Sequence, residues 1–378
     1  VKVHYQADPR RLKPPLGGFV ATPDGFSTAP QPDVGHTVFP CNDHPSDKAF
    51  YTFKVTAPHG TIGVANGDKV AEHANADGST TFTYVSRSPM PTELVQISVG
   101  DFAIVDHGTT AGGARLRDVV PKARLAELTP ALDLTKGQLG WLEKRLGNYP
   151  FEAYGLLPAN SDASDAFDFT GLETQTLTLY KPNYLKQPEN KIGTHMVHEL
   201  THSWFGNSVS PGDWGSLWLN EGNANYYSFR YQYDRGWTDT HGKTTMLDRM
   251  KETYGNGDIW RAKSGPVAKP NAANLFDDIR YTGGTLTLYA LSEKIGLAKF
   301  DQIQQAWLRT YRNRSATTED YIALATKVSG DETVRPFLED WLYGTKEPQM
   351  PNHPDWTVTP PTAKALRTAN VQTDRYEG

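Results

Sequence analysis

The pattern of hydrophobic and polar positions changes period near residue 106. Before that point, "AFYTFKVTAP" and "TTFTYVSRS" alternate apolar and polar residues and are rich in Thr, Val, Phe and Tyr. Such a two-residue period belongs to half-buried strands. "NGD" and "ADGS" supply turns between these runs. No helical period competes, so residues 1–106 are expected to form an antiparallel β domain. The opening "VKVHYQADPRR" reads as the inside of a strand, so the domain is expected to be incomplete at its start.

From "DLTKGQLGWLEKRLG" onward the period becomes helical. Asp133 or Thr135 can cap this segment, and Leu139, Leu142 and Leu146 share a face. "ETQTLTLY" reads as one more strand, running into the loop "KPNYLKQPEN". Helices are then predicted over 191–205, about 217–233 and 284–295, and in "FDQIQQAWLRTYRN", "TTEDYIALATKVSG" and "TVRPFLEDWLYG". The last stretch, beginning "KEPQMPNHPDW", is Pro-rich and aperiodic and is expected to wrap or fray as a tail. The pattern therefore predicts an α+β protein: a β domain over 1–106, a mostly helical domain over 107–348, and a tail over 349–378. No internal repeat is visible.

Composition narrows the function classes. The 378 residues suffice for two or three domains, and 38% hydrophobic with 21% charged residues is ordinary for a globular chain. The net charge of −5 contains no block of like charges, which argues against nucleic acid or an anionic membrane as the main partner. No apolar run is long enough to span a bilayer. Cys41 is the one cysteine, so an intrachain disulfide and a thiolate-rich zinc site are both excluded. Any zinc must be held by His and carboxylate.

"GTHMVHELTHSWFGNSV" offers such ligands. His198 and His202 are four residues apart, one turn of helix, so both rings can reach a single ion. Glu199 flanks the same face, giving the His-Glu-x-x-His arrangement of two metal ligands and a general base. Ile192, Met196, Leu200 and Trp204 form an opposite, apolar stripe. A catalytic zinc needs a third protein ligand and an open position for water. "SLWLNEGNANYY" supplies Glu221 after an 18-residue spacer from His202. The five-residue pattern alone arises by chance; with Glu221 at this spacing, chance is a poor account. His195 can be either a fourth ligand, which would close the site as a structural one, or a core histidine beside it. Its position only partly on the ligand face favours the core role.

Together these segments resemble the gluzincin aminopeptidases, the family of aminopeptidase N and leukotriene hydrolase. "HELTHSWFGNSVSPGDWGSLWLNEG" is similar to the family's zinc motif. "FPCNDHPSDKAFYTFKVTAP" resembles its β-domain motif, and "TGLETQTLTLY" stands where the family has its Gly-x-Met-Glu-Asn exopeptidase motif. "YTGGTLTLYAL" resembles the segment that carries its catalytic tyrosine. The likeness runs from about residue 1 to 348 and is closest to the shorter bacterial members. It implies a saddle-shaped β domain followed by a thermolysin-like catalytic domain, without the large helical C-terminal domain of longer members.

The resemblance also implies peptide hydrolysis with one zinc ion per chain, held by His198, His202 and Glu221. Glu199 would act as general base, and Tyr281 would donate its hydroxyl to the tetrahedral intermediate. Glu173 would bind the free α-amino group of the substrate with help from Gln31, while Gly171 and Leu172 line the substrate path. Three positions depart from the family pattern. Thr174 replaces the motif Asn and Leu172 its Met, which puts the backbone of the substrate path in doubt but keeps the carboxylate. Gly283 stands where many members have Lys.

The expected partners are peptides with a free N-terminus, with neither nucleic acid nor membrane. A zinc endopeptidase that ignores the N-terminus is the alternative within enzymes, and Glu173 argues against it. A non-catalytic peptide-binding relative is the alternative outside enzymes, and the retained ligands and base argue against that. The incomplete start favours a secreted bacterial enzyme over a cytoplasmic one. Oligomeric state is not legible in the sequence.

Overall fold

The computed structural model describes residues 1–6, 8, 18–159 and 169–368. The described chain forms two compact units. One comprises Val1–Gly140 and Asn148–Ile192, and the other comprises Trp141–Gly147 and the residues from Gly193 onward.

The first unit is built on strands β1 (Phe19–Thr22), β2 (Gly25–Thr28), β3 (Thr52–Ala57), β4 (Ile62–Ala65), β5 (Asp68–Ala74), β6 (Thr80–Val85) and β7 (Ile97–Gly100). They form two antiparallel sheets, ordered β1-β2-β7-β4 and β3-β6-β5. The alternation read in the sequence is the reason. Phe53, Val55 and Ala57 of β3 point inward while Thr52, Lys54 and Thr56 face out. Phe82 and Tyr84 of β6 point into the same core, beside Val64, Met90 and Leu94. The opening "VKVHYQ" joins no strand. Its exposed Val1 and Val3 have no sheet to enter, and the Tyr5 hydroxyl donates to the Val38 carbonyl instead.

Sheet structure continues beyond these strands. Residue 106 lies inside β8 (Phe102–Thr109), which pairs antiparallel with β9 (Arg115–Pro121); β10 (Ala153–Tyr154) joins β9 in parallel. Between them come α1 (Leu125–Leu132) and α2 (Thr135–Leu146). A further sheet joins β11 (Leu156–Leu157), β12 (Gly171–Leu172) and β13 (Thr178–Tyr180), with β13 central. Only the last three residues of "ETQTLTLY" are strand. Residues 173–177 form a tight turn in which the Leu177 N–H bonds the Thr174 carbonyl, and Thr176 has φ of 65°.

The second unit is mostly helical. After α3 (Glu189–Thr201) come the short β14 (Val209–Pro211), α4 (Trp218–Asp234), α5 (Met246–Ser264), α6 (Gly284–Ile295) and α7 (Leu297–Thr310). β15 (Arg314–Ala316) pairs with β14, and α8 (Thr318–Ser329), α9 (Val334–Tyr343) and α10 (Ala363–Thr368) follow. Its core is aromatic. Trp218 of α4 and Trp307 of α7 both pack edge-on against Tyr321 of α8. The 19-residue α5 is not anticipated by the sequence pattern, because Gly255 and Gly257 interrupt its face.

Gly257 has a specific reason to lack a side chain. A Cβ there would lie 2.1 Å from Cγ of Glu347. Glu347 accepts two hydrogen bonds from Arg261, at 2.9 and 3.2 Å, with both side chains fully buried. Trp356 then packs against Tyr254 of α5 and Tyr289 of α6, and the Thr359 N–H bonds the Gly255 carbonyl at 2.8 Å. The Pro-rich stretch expected to wrap or fray therefore wraps as a strap over these helices. Residues 369–378 of that expected tail lie outside the described residues.

Candidate metal centre

Helix α3 ends at Thr201, earlier than the pattern of hydrophobic residues suggests, but the His202 N–H still bonds the His198 carbonyl at 3.3 Å. The one-turn spacing of the two rings is thereby kept. Ile192, Met196, Leu200 and Trp204 are all buried, as the opposite stripe requires. Glu221 sits in the first turn of α4. The spacer contains β14 and a 3-10 turn at Trp214–Ser216, which return the chain to the histidines.

Three ligand atoms converge. His198 Nε2 and His202 Nε2 are 3.1 Å apart, and each lies 3.4 Å from Glu221 Oε2. A tetrahedral zinc with bonds of ~2.0–2.1 Å holds its donors about 3.3–3.4 Å apart, so this triangle fits that ion. All three side chains are buried. Burial works to raise the Glu221 carboxyl, but the two imidazoles outweigh it and hold it down at about 2. It is therefore a carboxylate, the form a metal requires.

Each ring is also oriented from behind. His198 Nδ1 lies 2.8 Å from Asn225 Oδ1, and His202 Nδ1 lies 3.1 Å from the Phe205 carbonyl. Both partners accept, so each Nδ1 carries the proton and each Nε2 keeps its lone pair for the metal. Asn225 was not among the residues singled out in the sequence. Its signal is there in "NEGNAN", four residues after Glu221 and so on the same helical face.

Glu199 is buried, with Oε1 3.4 Å from His195 Nε2. His195 stacks on the His198 ring at 5.9 Å between centroids. It is not one of the residues whose ligand atoms converge on Glu221, which agrees with the core role. Burial, reinforced by His198 and His202, drives its imidazole well below 6.5, so it is neutral.

Tyr281 also stacks on His198, 6.3 Å between ring centroids with the planes 14° apart. It lies in a π-helical turn, Ile279–Gly283, directly before α6. Such turns concentrate at functional positions because they re-aim a side chain without ending the helix. Behind this turn α6 crosses α4 at two glycines. A Cβ on Gly222 would meet the Gly284 carbonyl carbon at 2.8 Å, and one on Gly284 would meet the Gly222 Cα at 3.0 Å. The Thr285 hydroxyl lies 3.0 Å from the Gly222 carbonyl and 2.9 Å from that of Tyr281.

In the first unit, Gln31 Nε2 donates to Glu173 Oε1 at 2.6 Å across 142 residues of sequence. Gly171 and Leu172 form β12, and the buried Glu173 follows it directly. Thr174, standing in place of Asn, is fully buried and donates to the Leu177 carbonyl, with Gln96 Oε1 at 3.2 Å. It holds the turn that carries Glu173.

Comparison with known proteins agrees with this chemistry. Residues 24–94 match the peptidase M1 N-terminal domain, and residues 131–341 match the peptidase family M1 domain. Human glutamyl aminopeptidase is 28% identical over 325 residues, 83% of this chain and 33% of the relative. Aminopeptidase M1-B of Oryza sativa subsp. japonica is 28% identical over 318 residues, 80% of this chain and 35% of the relative. The chain thus spans about a third of the length of these curated relatives. An M1 zinc metallopeptidase from Deinococcus radiodurans matches with a TM-score of 0.75 and 26% identity, covering 90% of this chain and 74% of that one. A mutant of it bound to a Tyr-Ser-Ala substrate matches with a TM-score of 0.74 at the same identity and coverage. The family domain alone covers more than half of the 378 residues, and with the β-sheet domain before it and the zinc site of His198, His202 and Glu221 within it, the chain belongs to peptidase family M1.

Proposed function

We propose that the chain is a zinc-dependent aminopeptidase, removing the N-terminal residue from peptides that carry a free α-amino group. The observation that carries this reading is the buried triangle of His198, His202 and Glu221 with Glu199 and Tyr281 beside it. His198, His202 and Glu221 would hold a zinc ion, which would supply Lewis-acid polarisation of the scissile carbonyl and would make water acidic enough to lose a proton near neutral pH. Glu199 takes that proton as water attacks the carbonyl carbon, then delivers it to the departing amine. The Tyr281 hydroxyl donates to the oxygen on which negative charge develops. Asn225 and the Phe205 carbonyl keep the two rings in the tautomer that binds metal.

Glu173 supplies the exopeptidase character. Its carboxylate, buried and held by Gln31, is a partner for an ammonium group, and Gly171 and Leu172 position it at the end of β12. The relatives named above as aminopeptidases support the same reading.

Free and N-acetylated aminoacyl chromogenic substrates, assayed with and without chelator, test it. Hydrolysis of the free substrates should stop on chelation and return with zinc. Acetylation removes the charge that Glu173 pairs and should lower kcat/KM by about ten- to a hundred-fold or more. Equal rates on free and acetylated substrates would promote the endopeptidase reading. A zinc-loaded chain with no hydrolysis at all would promote the non-catalytic one.

A further inference from the structure

Helix α5 ends at Ser264, and its last carbonyls have no partner within the helix. The chain then runs irregularly over 265–277 before the π-helical turn that carries Tyr281. One side chain collects the carbonyls of this stretch. Arg280 is fully buried, and its Nη1 donates to the Pro266 and Val267 carbonyls at 2.7 and 3.2 Å. Its Nη2 donates to the Ser264 carbonyl at 3.2 Å and to Asn274 Oδ1 at 3.4 Å. A cation is favoured there by the negative end of α5. The planar fork of the guanidinium, rather than its charge alone, reaches four acceptors at once. Burial pushes the group down to about 10, which leaves it charged at neutral pH.

Arg280 directly precedes Tyr281, and the same stretch grips the turn on the other side of the tyrosine. A Cβ on Gly283 would lie 3.3 Å from Val267 Cγ2, so Val267 meets the turn twice: its carbonyl at Arg280 and its side chain at Gly283. The Ala268 N–H bonds the Leu342 carbonyl of α9 at 3.0 Å, which ties the stretch to the rest of the helical unit. Within the turn, the Thr282 hydroxyl donates to the Asp278 carbonyl at 2.9 Å. Successive side chains of a helical turn leave its axis in different directions. Anchoring one of them therefore stops the turn from rolling and fixes where its neighbour points.

We propose that Arg280 is a positioning residue for the reaction: it clamps the stretch between α5 and the π-helical turn and so fixes the direction in which Tyr281 presents its hydroxyl. This rests on the proposed role of Tyr281 as donor to the developing oxyanion. Among the described residues none of the hydrogen bonds of Arg280 reaches a metal ligand, so it acts through Tyr281 and not through the zinc site. A catalytic group misplaced by about 1 Å can cost ~10²-fold in rate.

Steady-state kinetics on Arg280→Lys, Tyr281→Phe and the double variant test the proposal, with zinc affinity measured on each by competition with a chromogenic chelator. Arg280→Lys keeps a cation and loses the fork. Its kcat should fall by about tenfold or more, while KM and zinc affinity change by less than about threefold. In the Tyr281→Phe background the same substitution should change kcat by less than about twofold, because no hydroxyl is left to misplace. An equal fall in both backgrounds would overturn the proposal, since it would show general damage to the unit. An unchanged kcat in Arg280→Lys would overturn it too. Asn274→Ala loosens the clamp at a partly exposed position and decides the matter if the lysine variant does not fold. It should lower kcat by about two- to tenfold, again only where Tyr281 is present. An unchanged kcat in that variant, or the same fall without Tyr281, would overturn the proposal. A parent-like kcat in Tyr281→Phe would overturn the role of Tyr281 itself. Equal falls in the two backgrounds leave that role standing and remove only the one given to Arg280.

Discussion

Glu199→Gln keeps the shape of the side chain and removes its basicity. We expect about one zinc per chain to remain while kcat falls by ~10²–10⁴ or more. Elemental analysis and steady-state kinetics on one preparation check both halves, and normal turnover would move the base elsewhere. If the Tyr281 hydroxyl donates to the developing oxyanion as proposed, Tyr281→Phe should lower kcat by about 10²–10³ with little change in KM, because a donor in that role acts on charge that exists only in the transition state. Asn225→Ala leaves all three ligands in place but releases the His198 ring. Zinc affinity, measured by competition with a chromogenic chelator, should fall by about 10–100-fold. Glu93 gives a prediction about stability. It is 4% exposed, and burial pushes its carboxyl up to about 8, with Lys48 and its own backbone N–H pulling the other way. The folded chain therefore holds a proton that the unfolded chain releases once the pH passes about 4.5. Stability from this group is complete at low pH and is lost as pH rises towards about 8. Glu93→Gln should remove that slope, so its unfolding free energy should gain on the parent by at least about 1 kcal/mol between roughly pH 5 and 8. Parallel denaturant curves with the same pH dependence would show that Glu93 is not the group responsible.

The crossing of α4 and α6 rests on two backbones that touch at Gly222 and Gly284. Gly284→Ala places a methyl 3.0 Å from both the Gly222 Cα and the Trp218 carbonyl. Overpacking of this kind costs about 1–3 kcal/mol. The variant should weaken zinc binding and lower kcat together, since Glu221 precedes one glycine and Tyr281 precedes the other by three residues. Loss of stability with intact zinc affinity and intact kcat would show that the helices slide without disturbing the site. No sequence pattern announces this crossing, because a glycine chosen for close approach looks like any other glycine. The same is true of Gly257 in α5, where the missing side chain hid a 19-residue helix from periodicity. What was legible has a local cause. The alternation in β3 and β6 and the four-residue step from His198 to His202 are set by strand and helix geometry alone. Gln31 and Glu173 meet across 142 residues, and only the resemblance to a family singled them out. Asn225 and the π-helical turn under Tyr281 went unread, since an asparagine on a buried helix and a one-residue bulge carry no period of their own.

The two units bring different material to the molecule: alternating strands in one, and helices around Trp218, Trp307 and Tyr321 in the other. No described helix is long and apolar enough to cross a membrane. The second unit is completed by the strap that carries Glu347 and Trp356. Trp356→Ala removes a ring lodged between Tyr254 and Tyr289 and should cost about 3–5 kcal/mol of unfolding free energy. Chemical denaturation checks this, and a loss below about 1 kcal/mol would mean the strap is dispensable. The strap also sets an order of events during synthesis. Arg261 and Glu347 are 86 residues apart, so α5 leaves the ribosome long before its buried guanidinium has a counter-ion. Until then the gap over Gly257 stays open and the Tyr254 and Tyr289 rings lack the indole that covers them. The helices nearest Tyr281 must wait, unfinished, for a stretch of chain translated after all of them, and a nascent chain stalled before residue 347 would present that open face to any chaperone within reach.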